Sequence, residues 1–154
     1  MDIRLANKDE IITLTKVSKS AFDTDIEVGN SEFGGPPYYD SQKWHASMLK
    51  GSHLFSILES SEIIGGAILF RDNAEKNIMY VGRIFISPKY HRKGYGSKAM
   101  LELEKMFLDI NTWRLETPLW NIRTNQFYPK LGYIEMTRDE ESVYYQKEIC
   151  HGGM

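Results

Sequence analysis

Gly94 and Gly96 stand one residue apart in the run Pro88-Lys89-Tyr90-His91-Arg92-Lys93-Gly94-Tyr95-Gly96-Ser97, between an apolar segment of strand character and one of helical spacing. A strand that turns through glycine into a helix calls for a layered α/β arrangement with the helix folded back on its sheet. It also makes an anion site. Residues without a Cβ let the backbone bend close to a ligand, and the unpaired N–H groups at the start of the helix point at that ligand. Arg92 and Lys93 add positive charge at the same place.

The segments around this turn alternate in type. Ile3 to Ala6 reads as a short strand; Asn7 with Glu10 marks a helix start, and Ile11, Leu14, Val17 and Ala21 follow at helical spacing. Residues 23 to 39 break the pattern with acids and the turn-forming run from Gly34 to Tyr39. Asp40 or Ser41 then caps a second helix carrying Trp44, Met48 and Leu49. Leu54 to Leu58, Ile63 to Phe70 and Ile78 to Ile86 read as consecutive antiparallel strands. After the glycine turn, Met100, Leu103, Phe107 and Ile110 line one side of a helix. Arg114 to Thr117 forms a strand, Asn121 to Leu131 a short helix stopped by Gly132, and Tyr133 to Thr137 with Val143 to Ile149 a closing hairpin. The expected fold is α/β of the α+β type: a mixed, mostly antiparallel central sheet of about seven strands flanked by about four helices.

At 154 residues the chain reads as one domain over 1–150, with 151–154 as a frayed tail. A formal net charge of −2 provides no basic excess for nucleic acid. No apolar stretch approaches the roughly 18 residues a membrane crossing needs, and Met1-Asp2-Ile3-Arg4 does not begin a signal peptide, so a cytoplasmic protein without membrane partners is expected. A single cysteine, Cys150, and scattered histidines at 45, 53, 91 and 151 imply neither a disulfide framework nor a metal site.

The order of strand, Pro88, basic glycine turn, helix and strand, then Asn121 seven residues before Tyr128 and Gly132-Tyr133 after it, resembles the GNAT superfamily of acyl-coenzyme A-dependent N-acetyltransferases. The resemblance covers the whole chain in element order, and its specific core runs from about Ile84 to Tyr133. The family's phosphate motif usually opens with Gln or Arg where this chain has His91; because such a loop grips phosphate mainly through backbone N–H groups, the departure is tolerable.

By this resemblance, backbone groups of Phe85 and Ile86 pair with the pantetheine arm of acetyl-coenzyme A as with an added strand. His91, Arg92, Lys93, Gly94, Tyr95, Gly96 and Ser97 form the pyrophosphate cradle, and Asn121 hydrogen-bonds the cofactor arm. Tyr128 stands near the sulfur. Glu116, placed as is the proposed base of ribosomal-protein alanine acetyltransferases, takes the acceptor's proton. The Ile86 N–H stabilises the oxyanion. Phe22, Pro37, Tyr38 and Trp44, in the segment before the sheet, line the acceptor side. The acceptor is a small-molecule amine or a peptide N-terminus; Asp23, Asp25, Glu27 and Glu32 suggest a cationic small amine. No metal is implied, and the resemblance admits a homodimer.

Each residue also has a plain structural role open to it. Tyr128 suits a core position, Glu116 a solvent-facing strand end or an ion pair with Arg114 or Arg123, and Asn121 a helix cap. Gly94-Tyr95-Gly96-Ser97-Lys98-Ala99 also fits a dinucleotide-binding pattern. That fold places its first glycine directly after the strand, whereas Ser87 to Lys93 intervene here. The alternative function on the same fold is a regulatory domain that binds acyl-coenzyme A without catalysing transfer.

Overall fold

A computed structural model describes residues 1–150. The frayed tail expected at 151–154 lies outside the described residues. Seven strands form one sheet: β1 (Asp2–Leu5), β2 (Leu54–Glu59), β3 (Glu62–Arg71), β4 (Ile78–Ile86), β5 (Thr112–Pro118), β6 (Ile134–Arg138) and β7 (Ser142–Glu148), in the spatial order β1-β2-β3-β4-β5-β7-β6. All neighbours are antiparallel except β4 and β5, which the helical crossover makes parallel. Helices α1 (Ile11–Phe22) and α2 (Gln42–Lys50) precede β2, α3 (Tyr95–Met106) links β4 to β5, and α4 (Thr124–Lys130) lies between β5 and β6.

The strand sequences record which faces are covered. β2 is apolar almost throughout because both its faces are buried, whereas β5 alternates, with Trp113, Leu115 and Thr117 buried and Glu116 exposed. On one side of the sheet Leu14 of α1 packs with Leu54, Ile68 and Phe85. On the other, Met100 and Leu103 of α3 and Tyr128 of α4 pack with Met79, Val81, Trp113 and Leu115. β6 is exposed along its length, and its edge carries the Glu135–Arg138 ion pair.

Local differences from the expected elements have local causes. The Asn7 N–H donates to Glu10 Oε1 at 2.8 Å, which closes a 3-10 turn before α1 begins at Ile11. Ser41, not Asp40, caps α2, accepting from the Trp44 N–H at 3.0 Å. Asp23–Val28 continues α1 as a 3-10 helix inside the stretch read as irregular. α3 stops at Met106, yet Phe107 and Ile110 still pack in its core cluster, so they continue the apolar pattern beyond the helix.

One irregularity positions everything that follows. On β3, Ile68 pairs with Arg83 but the next residue, Leu69, pairs with Val81, so Gly82 is an extra residue bulged out of β4. The β4–β5 pairing runs only from Ile78↔Thr112 to Tyr80↔Arg114. Beyond Tyr80, β4 follows β3 and β5 follows β7, and the two parallel strands diverge into a cleft whose vertex is that last pair.

Candidate active site

The cleft has a backbone edge. The Ser87 N–H donates to the Ile64 carbonyl at 2.7 Å, and in an antiparallel ladder this parity turns the polar groups of Phe85 toward β3 and those of Ile84 and Ile86 toward the open side. The expected pairing of Phe85 backbone with a ligand is therefore not available; its ring instead packs against Phe22 and His45. Ile84 takes its place beside Ile86 as the second residue presenting backbone to the cleft.

At the far end of β4 the chain forms a short turn over Pro88–Tyr90, and Arg92 at φ 61° and Gly94 at φ 81° both adopt the left-handed region. A Cβ on Gly94 would meet nothing, so glycine is favoured there by conformation and not by space. At Gly96 a Cβ would lie 3.4 Å from the Phe127 ring of α4, an ordinary contact distance. The Lys98 N–H donates to the Gly94 carbonyl at 3.0 Å, the first backbone bond into α3. Among the described residues the N–H groups of Tyr95, Gly96 and Ser97 have no acceptor. These N–H groups, with exposed Arg92 and Lys93, form a candidate cradle that could hold an anion. The His91 side chain is not part of its rim: its Nε2 donates to the Ile86 carbonyl at 2.6 Å, and burial holds its pKa below the usual histidine range.

Asn121 and Tyr128 lie on the α4 side. The Asn121 Oδ1 accepts from the Thr124 N–H at 3.0 Å, so it caps the start of α4. Tyr128 belongs to the buried cluster of Val81 and Leu115, the residues that follow the last β4–β5 pair on each strand. Its ring is surrounded by Phe127, Tyr133 and Tyr145. Burial raises its pKa, so the hydroxyl keeps its proton at neutral pH.

Glu116 lies on the opposite face. It is exposed, pairs in register with Tyr144 across β7, and forms no ion pair with Arg114 or Arg123 among the described residues. Glu116 follows Arg114, the last β5 residue paired with β4, by two positions, at the opening of the cleft. Tyr144, whose hydroxyl donates to Asp139 at 2.8 Å, has its pKa pushed up to about 12 by that bond first and by Glu116 among lesser causes.

Three of the four expected acceptor-side residues converge on a residue the sequence reading passed over. Arg83 donates from Nη2 to the Pro37 carbonyl, and its Cζ lies 4.1 Å from the centroid of Trp44, on which Tyr38 stacks at 6.4 Å. Phe22 lies apart from them, its ring packed against Phe85 and Tyr39. One lone charge within the apolar strand Ile78–Ile86 was the available signal. The acids fare differently. Asp23 is held by Lys19 at 2.6 Å and the Tyr39 hydroxyl at 2.6 Å, and Asp25 is buried, its pKa pushed up to about 6 by desolvation against the pull of Arg123. Only Glu27 and Glu32 remain exposed to meet a cation. Among the described residues no group of three or more His, Cys, Asp or Glu is placed to hold a metal, and no helix is long and apolar enough to cross a membrane.

Comparison with known proteins agrees with this fold. The fold is similar to that of the PaiA N-acetyltransferase of Thermoplasma acidophilum, solved in complex with coenzyme A, with a TM-score of 0.80 at 21% identity over 96% of this chain and 98% of that one. The ribosomal-protein-S18-alanine N-acetyltransferase of Escherichia coli superposes with a TM-score of 0.70 at 15% identity over 99% and 97% of the two chains. In sequence the chain is 27% identical over 128 residues to the YrkN protein of Bacillus subtilis (strain 168), covering 82% of this chain and 68% of that protein. The model of the acetyltransferase (GNAT) family matches residues 19–133, which include the diverging strands, the glycine turn and Tyr128, and the chain belongs to that family.

Proposed function

We propose that the protein is an N-acetyltransferase that moves an acetyl group from acetyl-coenzyme A to a primary amine by direct attack within a ternary complex. The observation that carries this reading is the continuity of the open β4 edge with the cradle of free N–H groups at Tyr95 to Ser97: one path offers hydrogen bonds to an extended amide-bearing arm and then positive charge to a pyrophosphate. Acetyl-coenzyme A, when bound, supplies a thioester carbonyl carbon open to attack and a thiolate able to leave.

The residues of this chain then act at three points. An amine resembling a lysine side chain, with pKa of roughly 10.4, costs about 4.6 kcal/mol to present as free base at pH 7, so a proton acceptor is needed. Glu116, directly or through water, removes that proton as the N–C bond forms, a contribution of roughly 10² to 10⁴ in rate. The N–H groups of Ile84 and Ile86 are the strand donors available to the charge developing on the carbonyl oxygen. One such donor is worth about 3–4 kcal/mol. Tyr128 serves the departing sulfur as the C–S bond breaks. Full transfer from an ordinary tyrosine to a thiolate is already uphill by about 2 kcal/mol. Burial raises the cost further, so Tyr128 acts as a hydrogen-bond donor and the thiolate takes its final proton from solvent.

Calorimetric titration with acetyl-coenzyme A beside NADH, followed by thiol release with a panel of amines, tests the reading. Micromolar binding of acetyl-coenzyme A and amine-dependent thiol release are expected. Binding without turnover would instead favour a regulatory acyl-coenzyme A domain, and preference for NADH would overturn the assignment of the glycine turn.

A further inference from the structure

Arg83 is a half-buried cation without an anion. Its Nη1 is buried and has no hydrogen-bond partner, and its Nη2 is met only by the neutral Pro37 carbonyl. No carboxylate among the described residues lies within ion-pair distance of it. The neighbouring His45 offers no negative charge either: its Nδ1–H donates to the Ser41 carbonyl at 2.7 Å, and its Nε2 is buried without a partner. A guanidinium withdrawn from water is costly unless an oxyanion compensates it, and its planar fork matches a carboxylate bidentately. Desolvation draws its pKa down to about 10, which still leaves it protonated at neutral pH.

Its position gives this cation a use. The bulge at Gly82 turns Arg83 onto the α1–α2 face of the sheet, where it meets Trp44 and Pro37. Tyr80 and Arg114 share that face, since the Arg114 Nη1 donates to the Tyr80 hydroxyl at 3.3 Å; strand alternation puts Glu116 there too. A carboxylate base and an uncompensated guanidinium therefore flank the mouth of the cleft without pairing to each other.

We infer that the acceptor is a small amine that also carries a carboxylate, which docks on the Arg83 guanidinium against the Trp44–Tyr38 stack while its amine faces Glu116. This rests on the acetyltransferase reading and narrows its substrate class. The Pro37 carbonyl occupies one arm of the fork in the absence of acceptor and yields it to the carboxylate. A cationic polyamine is disfavoured at the same position by like charge.

The test compares amino acids and dipeptides with their C-terminal amides as acceptors, with spermidine and 2-aminoethyl phosphate as further arms, in the wild type, Arg83→Met and Arg83→Lys. The wild type is expected to prefer the carboxylate of each pair by about ten-fold or more in kcat/KM, the usual worth of a hydrogen-bonded charge. Arg83→Met should bring that ratio near one through KM, and Arg83→Lys should keep part of it. A guanidinium that only pins the Pro37 segment to β4 would instead lower both members of a pair equally. That outcome, equal use of amides and acids by the wild type, or preference for spermidine or the phosphate ester overturns the inference. Calorimetry with acetyl-coenzyme A and thermal unfolding of the same variants separate the causes. Intact cofactor binding and amine turnover without carboxylate preference defeat this inference alone, whereas loss of cofactor binding in the wild type defeats the underlying reading with it.

Discussion

The Nε2 of His91 donates to the carbonyl oxygen of Ile86 across 2.6 Å, tying the basic turn back to the last residue of β4. The bond joins the two halves of the proposed cofactor path, the strand edge and the phosphate cradle. His91→Ala should weaken acetyl-coenzyme A binding several-fold in calorimetry, with a smaller loss at saturating cofactor. Undiminished affinity would show that the turn holds its shape without the imidazole.

Gly94 tests the cradle's conformation apart from its charge. At φ 81° with open space where a Cβ would lie, Gly94→Val pays only the left-handed penalty, about 1–2 kcal/mol, and Gly94→Asn pays less. Cofactor affinity should fall in the order Gly, Asn, Val. Equal affinities for all three would mean that the N–H groups do not carry the binding.

Tyr128→Phe removes the hydroxyl and leaves the aromatic cluster filled. Turnover should drop ten-fold or more with acetyl-coenzyme A affinity nearly unchanged. Glu116→Gln should depress activity most at low pH, where free amine is scarcest. A wild-type turnover with a parallel pH profile would assign the proton to water or another group.

Stability should depend on pH with two opposing signs. His45 and His91 have folded pKa values lowered first by burial, so below about 6.5 the unfolded chain takes up protons before the folded one, and stability falls as pH drops from there toward the folded values. Asp25 opposes this: its carboxyl at about 6, against an ordinary 3.8, binds its proton earlier when folded and adds stability as pH falls between those values. Urea unfolding at pH 8, 6.5 and 5 should show a shallower acid loss in His45→Gln and a steeper one in Asp25→Asn. At pH 8 Asp25→Asn should gain about 1–3 kcal/mol, the cost of keeping that carboxylate buried and ionised.

Near the C-terminal end of α3 the core contains an ion pair. Glu104 of α3 accepts from Lys147 at 2.8 Å and from the Tyr133 hydroxyl at 2.9 Å, both side chains well shielded. Lys147→Met strands a buried carboxylate and should cost about 3 kcal/mol in chemical denaturation. Glu104→Gln with Lys147→Met should recover much of that loss.

What the chain announces locally was read from it directly. Apolar periods near 2 and 3.6, a cap at Asp40 or Ser41 before α2, and the paired glycines at 94 and 96 depend on residues close in sequence, so most of the elements and the mixed sheet followed from spacing, and the same local signal is what suggests phosphate at the glycine turn. The tertiary structure decided the rest, because it depends on partners far apart in the chain. The register of β3 against β4 makes Gly82 a bulge, and that bulge, with the halt of β4–β5 pairing at Tyr80 and Arg114, opens the cleft. It also chooses the face on which Arg83 appears and which strand residues, Ile84 and Ile86 in place of Phe85, show their backbone to it. A lone arginine in an apolar strand is a weak signal by itself; pairing across the sheet, with Trp44 and Pro37 brought from elsewhere, makes it a site.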